Sequence, residues 1–376
     1  MKILFLCPHM NAGGITSYVM TLARGLLKHG DRVTIACNAG EFDPAKELPG
    51  AGRLPLNLRF KFELHPFLLA QLWPLCSYIQ REKVDIIHAQ TRATSMLAWL
   101  ASFITGCPYV TTCHGYFRPH WGRRLLPLWG DRVIAISRPV RRHLLDDLHV
   151  RSGDIVLIPN GVDTELYRPP SSGERQESRR HYGLGPEPVV GIIARLSDVK
   201  GHIFLIEAMA TVKKTFADVK CLIFGEGSME SELKELVLSR GLAATVFFHP
   251  VVNRTAEILR ALDVFAMPSL SEGLGLSVME AQACGLPVAA SAVGGLCDII
   301  RDQETGVLVP PRDPQALAGA IIKILSDPLK AQAMGRRARA FMEREYSVPR
   351  MVDDTACVYA DVLAGKSRVG LESGAV

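Results

Sequence analysis

No apolar stretch of the chain reaches the ~18 to 20 residues that a membrane-spanning helix needs, so no helical span is expected. The nine cysteines (Cys7, Cys37, Cys76, Cys107, Cys113, Cys221, Cys284, Cys297 and Cys357) are scattered, odd in number and never spaced C-x-x-C. That argues for reduced thiols in a cytosolic compartment, and against a zinc site or a disulfide frame. A complete G-x-G-x-x-G is missing after the first strand, where N-A-G-G stands at 11–14, and a dehydrogenase loses ground with it. The basic half carries no recognisable nucleic-acid-binding motif, so no nucleic-acid partner is expected. No D-x-D stands at a strand end, since Asp146-Asp147 falls in a helical stretch, and no metal is expected. Lys2 to Pro8 has the charge and apolar run of an export signal only in miniature, and reads better as a buried strand.

What is present fits two cores. A chain of 376 residues, 48% apolar, exceeds the ~250 to 300 residues at which a single core stops growing. Charge is uneven: Met1–Arg168 carries 20 basic and 13 acidic residues, net +7, and the remainder is −2. An acidic partner or an anionic membrane surface fits the basic half.

Strands alternate with helices throughout. Strand Lys2–Cys7 leads through Gly13-Gly14 into an amphipathic helix from Ile15 to His29, then strand Val33–Cys37. Helix Pro66–Glu82, strand Val84–His88, helix Ala93–Thr105 and strand Tyr109–Cys113 follow a Pro- and Gly-rich loop. Strand Arg132–Ile136, helix Arg138–His149 and strand Ile155–Ile158 complete a half that reads as a parallel sheet covered on both faces. Ligands of such sheets gather at the C-terminal strand ends, where His114 and Gly115 fall. His88 holds a similar position, and strand-end histidines often only cap local backbone.

Between Tyr116 and Trp129, Arg118, His120, Arg123 and Arg124 mix with Phe117, Trp121, Leu125, Leu126 and Leu128. The stretch reads either as a membrane-surface element or as a packed helix with a solvated basic face. Residues 167–187 have linker composition, so the expected domains are 1–166 and 188–347. An amphipathic helix over 348–364 is expected to pack back on the first domain, ahead of a frayed tail, 365–376.

The second half restarts with strand Val189–Ala194, a loop bearing Arg195, Lys200 and Gly201, and strand Val219–Phe224 followed by Gly225-Glu226-Gly227. Its centre is Pro268 to Ser291, a βαβ unit: strand Val264–Met267, a turn at Gly273 and Gly275, a helix from Ser277 to Ala283, and strand Val288–Ala290. Glu272 and Glu280 stand 8 positions apart in it. Beside a phosphate site at a helix N-terminus, Glu280 makes sense if it accepts bonds from ribose hydroxyls, and Glu272 if it does so from a sugar. Ser277-Val-Met-Glu280 is equally a capping box, in which Glu280 would satisfy only its own helix.

Taken together these segments resemble the retaining glycosyltransferases of family 4. Glu272 to Val288 resembles the family's E-x7-E motif within E-G-x-G-L-x-x-x-E-A-x-A-x-G-x-P-V. Arg195 with Lys200 and Gly201 resembles G-R-L-x-x-x-K-G, and Pro159-Asn-Gly-Val-Asp163 resembles P-N-G-V-D. The resemblance covers nearly the whole chain. It implies the GT-B fold, α/β with two facing Rossmann-like domains and a cleft between them. It implies transfer of a sugar from a nucleoside diphosphate, UDP in preference to GDP, to a hydroxyl with the anomeric configuration kept. Arg195 and Lys200 would lie on the diphosphate, Glu280 on the ribose and Glu272 on the donor sugar. Gly13 and Gly14 would lie near the phosphates, and His114 near the donor sugar. Gly225, Gly227, Gly273, Gly275 and Leu276 would complete the donor site. The catalytic set is then His114, Arg195, Lys200 and Glu272, with no cofactor and no metal, because an Arg and a Lys can neutralise the departing diphosphate.

The basic first half, with Trp121 and Trp129 among Arg118, Arg123 and Arg124, leads to the expectation of a glycan or lipid-linked acceptor and of a cytoplasmic protein peripheral on the inner face of the membrane. Three departures stand out: Ala194 for a glycine, Gln282 for a methionine, and Gly294-Gly295-Leu-Cys297-Asp298 for G-G-x-P-E, which puts the local turn in question. A nucleotide-sugar epimerase on the same architecture, or a protein that only binds the nucleotide sugar, are the alternatives.

Overall fold

A computed structural model describes residues 1–11, 13–38, 40, 43–58, 65–117, 126–250 and 254–365. The chain forms two compact units, Met1–Gly161 with Val348–Val376, and Val162–Ser347. The division falls inside Pro159-Asn-Gly-Val-Asp163, ahead of the linker-like stretch.

The first unit holds a parallel seven-stranded sheet among the described residues. Its strands are β1 (Lys2–Leu6), β2 (Arg32–Cys37), β3 (Gly52–Pro55), β4 (Ile86–Ala89), β5 (Tyr109–Cys113), β6 (Arg132–Ala135) and β7 (Ile155–Leu157), in the order β3-β2-β1-β4-β5-β6-β7. Alternation along β1 divides the core. Ile3, Phe5 and Cys7 join Val33 and Ile35 under the helix Gly14–Lys28, while Leu4 and Leu6 join Leu75, Ile79 and Leu97 on the other face. Both faces being covered, the central strands are buried in unbroken runs, as over Ile3–Leu6 and Ile86–Ala89, rather than at alternate positions. The helix Val348–Leu363 belongs to this unit: Val352 packs on Gly25 so closely that a Cβ there would overlap it, and Tyr359 is buried.

The second unit holds a parallel six-stranded sheet among the described residues, order β10-β9-β8-β11-β12-β13. These are β8 (Val189–Ile193), β9 (Lys220–Phe224), β10 (Val246–His249), β11 (Val264–Met267), β12 (Val288–Ser291) and β13 (Val307–Val309). Residues 167–187, expected as linker, instead carry a helix, Ser172–His181, capped reciprocally by Ser171 and Glu174. It is seated on the unit by Arg175 and Arg179, which grip the two carboxylate oxygens of Asp263 at 2.5 and 2.6 Å. Local capping and ion pairing outweighed the polar composition there.

Other boundaries shift for visible reasons. The expected helix 66–82 is two pieces, Pro66–Leu69 and Leu72–Glu82. The expected helix 138–149 is α-helical only over Arg138–Arg142 and widens to a π-turn over His143–Asp147, where the His143 ring bonds Asp147 at 2.6 Å. Edge strand β3 lay hidden in a Pro- and Gly-rich stretch. All nine thiols are free.

Candidate active site

In the second sheet the order reverses between β8 and β11, so the loops leaving them diverge and open a crevice at the strand ends. Arg195, Lys200 and Gly201 lie on the loop after β8, and Glu272, Gly273 and Gly275 on the loop after β11. The two loops are stitched together by Leu270 N–H donating to the Val199 carbonyl at 2.8 Å. Gly201 adopts φ 69° and lies so close to the Pro268 carbonyl that no side chain would fit. Lys200 Nζ consequently reaches across and donates to Glu272 Oε2 at 2.5 Å, and both residues are mostly buried. Ser269 Oγ stands 3.4 Å from the same oxygen. Arg195 is exposed, with no ion pair among the described residues.

The glycine turn after β9 serves this loop. A Cβ on Gly225 would overlap the Ala194 carbonyl and one on Gly227 the Leu196 carbonyl, while Leu196 N–H donates to Glu226 O at 2.9 Å. Gly225 and Gly227 therefore set the course of the segment that carries Arg195. The unusual Gly294-Gly295 piece still forms its turn: Gly295 N–H donates to Glu272 O at 3.0 Å, ahead of a short helix, Leu296–Ile299.

Glu280 lies on the helix Leu276–Ala283, which begins at Gly275 with no side-chain cap. The capping box over Ser277 and Glu280 is not formed. Because the helix starts at Leu276, the third helical position is Val278, and Glu280 falls two positions too late to close a capping box. Tyr167, whose hydroxyl lies 2.7 Å from Thr255 Oγ1, neighbours the carboxylate and favours its charged form. Burial pushes the Glu280 carboxyl up to about 7, against the lowering effect of Tyr167. Sequence reasoning missed Tyr167, which stood at the edge of the supposed linker. Gln282, two residues on, is wholly buried with neither amide atom bonded, and nothing in the structure explains it.

In the first unit the switch lies between β1 and β4. Gly13 precedes the helix Gly14–Lys28, whose N-terminus stands at the end of β1, and the space beside Gly13 is open. His114, after β5, donates Nε2–H to Gln90 Oε1 at 2.9 Å, and the Tyr18 ring lies edge-on at 4.9 Å. Gln90 in turn donates its amide to the His88 carbonyl. Burial pushes the His114 imidazole down to about 3, so it is neutral at ordinary pH. His88 belongs to the core: its ring bonds Tyr359 OH at 2.6 Å and Thr112 Oγ1 at 2.7 Å.

Gly13, Gly14 and His114 thus gather at the strand ends of one unit, and Arg195, Lys200, Glu272 and Glu280 at those of the other. Arg118, His120, Trp121, Arg123, Arg124 and Leu125 lie outside the described residues. Trp129 is half-buried against Phe117. No helix among the described residues is long and apolar enough to cross a membrane.

Two parallel-sheet α/β units, each with a switch point in its strand order, define a fold of the GT-B class. Residues 12–166 match the family described as Glycosyltransferase Family 4, and residues 174–341 match Glycosyl transferases group 1. The chain is similar to the D-inositol 3-phosphate glycosyltransferase of Acidothermus cellulolyticus, 32% identical over 94% of this chain and 87% of that one. The Segniliparus rotundus protein of the same name is 30% identical over 94% and 86%. Among solved structures, a Rickettsia africae glycosyltransferase superposes with TM-score 0.85 at 22% identity, covering 96% of this chain and 98% of that one. Anabaena HepE in complex with UDP and glucose gives 0.84 at 24%, covering 96% and 99%. The chain belongs to the family 4 glycosyltransferases and has the GT-B fold of two parallel-sheet α/β units.

Proposed function

We propose that the protein transfers a sugar from a nucleoside diphosphate, UDP in preference to GDP, to a hydroxyl, keeping the anomeric configuration. The observation that carries this is the Lys200–Glu272 contact at the β8/β11 switch point, with Arg195 exposed on the same loop. In this reading Arg195 and Lys200 take the diphosphate and neutralise the charge that develops as it leaves. Glu272 accepts bonds from hydroxyls of the donor sugar, and Glu280 from those of the ribose. His114, a neutral imidazole with its Nε2 proton committed to Gln90, offers Nδ1 as an acceptor to the donor sugar. The cationic pair does the work that a divalent ion does elsewhere, so transfer needs no metal and persists in excess EDTA.

The acceptor is an anionic hydroxyl compound, a lipid-linked or envelope-glycan precursor handled by the basic first unit at a membrane face. A second reading, a soluble phosphorylated polyol, is favoured by the name of the bacterial relatives. The test is incubation with UDP-hexoses and GDP-hexoses, each with a lipid-linked acceptor, with inositol phosphate, or with none. Acceptor-dependent release of nucleoside diphosphate supports transfer. Isomerised donor without acceptor points to an epimerase, and binding without turnover to a nucleotide-sugar-binding protein.

A further inference from the structure

We propose that His143 is a positioning residue for His114, joined with Asp147 and the Phe117 amide in a hydrogen-bonded chain that fixes the loop on which His114 stands. The inference rests on the reading of His114 as a group beside the donor sugar and extends it to two residues outside every motif of the sequence.

The strand order β4-β5-β6 puts the loop leaving β5, His114 to Phe117, between the segments that follow β4 and β6. It is tied to both. On the β4 side His114 donates Nε2–H to Gln90 Oε1 at 2.9 Å. On the β6 side the Phe117 N–H donates to His143 Nε2 at 2.9 Å, just beyond the helix Arg138–Arg142. Between these ties Cys113 Sγ donates to the Gly115 carbonyl at 3.4 Å, and the Tyr116 ring meets the His143 ring edge-on at 5.5 Å. His114 therefore stands on a short span anchored at both ends.

An amide nitrogen can only donate, so His143 Nε2 presents its lone pair and the ring proton sits on Nδ1. Asp147 Oδ2 accepts from that nitrogen at 2.6 Å. The carboxylate thereby selects the tautomer that the Phe117 amide needs. The turn that carries both residues is widened, with Leu148 N–H donating to the His143 carbonyl, five residues back, at 3.2 Å. His143 is buried and Asp147 is half-exposed, so removing the carboxylate opens no buried cavity. A histidine that only filled space would need neither the carboxylate nor this tautomer.

The experiment follows transfer with the UDP- or GDP-hexose and acceptor that wild type turns over fastest, together with calorimetry of UDP and GDP. The variants are His143→Leu, His143→Gln, Asp147→Ala and Asp147→Asn, each made alone and with His114→Ala. His143→Leu and Asp147→Ala should lower kcat about tenfold and leave nucleotide affinity within about twofold. His143→Gln keeps an acceptor for the Phe117 amide, and Asp147→Asn keeps an oxygen for Nδ1–H. Both should hold kcat within about twofold of wild type. In the His114→Ala background His143→Leu and Asp147→Ala should cost nothing further, because they act through His114. Nitrogen NMR should place the ring proton on Nδ1 in wild type and on Nε2 in Asp147→Ala.

Losses that persist undiminished in the His114→Ala background, full activity in Asp147→Ala, no recovery in either conservative variant, or a ring proton on Nε2 in wild type would overturn the positioning role alone. Should His143→Leu not fold, Asp147→Ala takes its place in both backgrounds. Unchanged kcat in His114→Ala, or no turnover of any donor by wild type, would remove the reading of His114 and this inference with it.

Discussion

The Lys200 ammonium lies 2.5 Å from Oε2 of Glu272, although the two residues are 72 positions apart and arrive on loops that diverge from adjacent strands. The cation proposed for a phosphate is thus engaged by a carboxylate. Replacing Glu272 by Gln removes that competitor while keeping the shape. Glu272→Gln should therefore bind UDP about two- to fivefold more tightly by calorimetry, and lose transfer by roughly 100-fold through its contact with the donor sugar. Weaker UDP binding in this variant would mean that Glu272 orients Lys200 rather than competing for it.

Glu280 gives a pH signature whose sign can be worked out. Its carboxyl is held at about 7 in the folded protein against an ordinary 4.5, so between those values the folded state binds more protons than the unfolded one. Stability contributed by this group falls as pH rises through that window. Glu280→Gln should flatten the dependence and melt about 2–4 °C above wild type at pH 8, while binding UDP more weakly. Unchanged affinity with altered stability would leave Glu280 a structural residue.

Acid should act through the first unit. Burial holds His88 and His114 at about 3, whereas an unfolded histidine titrates near 6.5. The unfolded chain takes up protons first, so this stability is complete above 6.5 and is lost as pH falls toward 3. Tyr359→Phe strips His88 Nδ1 of its partner and should destabilise by about 1–2 kcal/mol in urea melts at pH 7. A flat stability profile from pH 7 to pH 5 would contradict the buried neutral pair.

The membrane reading is tested on residues 118–124, outside the described part of the chain. Sedimentation with anionic liposomes should retain wild type at low salt and release it at high salt, and neutral liposomes should retain little. Changing Arg118, Arg123 and Arg124 together to Ser should abolish retention. Equal binding to both lipids would leave the soluble acceptor.

Much of the fold was legible because both sheets are buried on two faces, which turns each strand into a short apolar run between helices. The strand-end positions of Arg195 to Gly201 and of Glu272 were legible because glycines and charges interrupt the apolar runs there. What escaped depended on contacts distant in sequence. The helix Ser172–His181 had its cap written in Ser171 and Glu174, yet its hold on the unit comes from Asp263, many residues away. Tyr167 carries no motif, and only folding brings Thr255 to its hydroxyl and Glu280 near it. The capping box at Ser277 failed because Gly275, at φ 102°, starts the helix too early for Glu280 to turn back.

The central claim is that the β8/β11 crevice holds a nucleoside diphosphate through Arg195 and Lys200. Calorimetric titration of UDP and GDP into wild type and into the Arg195→Ala, Lys200→Ala double variant tests it most directly. Loss of at least about 100-fold in affinity, with an unchanged melting temperature, is the predicted result. Equal affinity in the two proteins would contradict it.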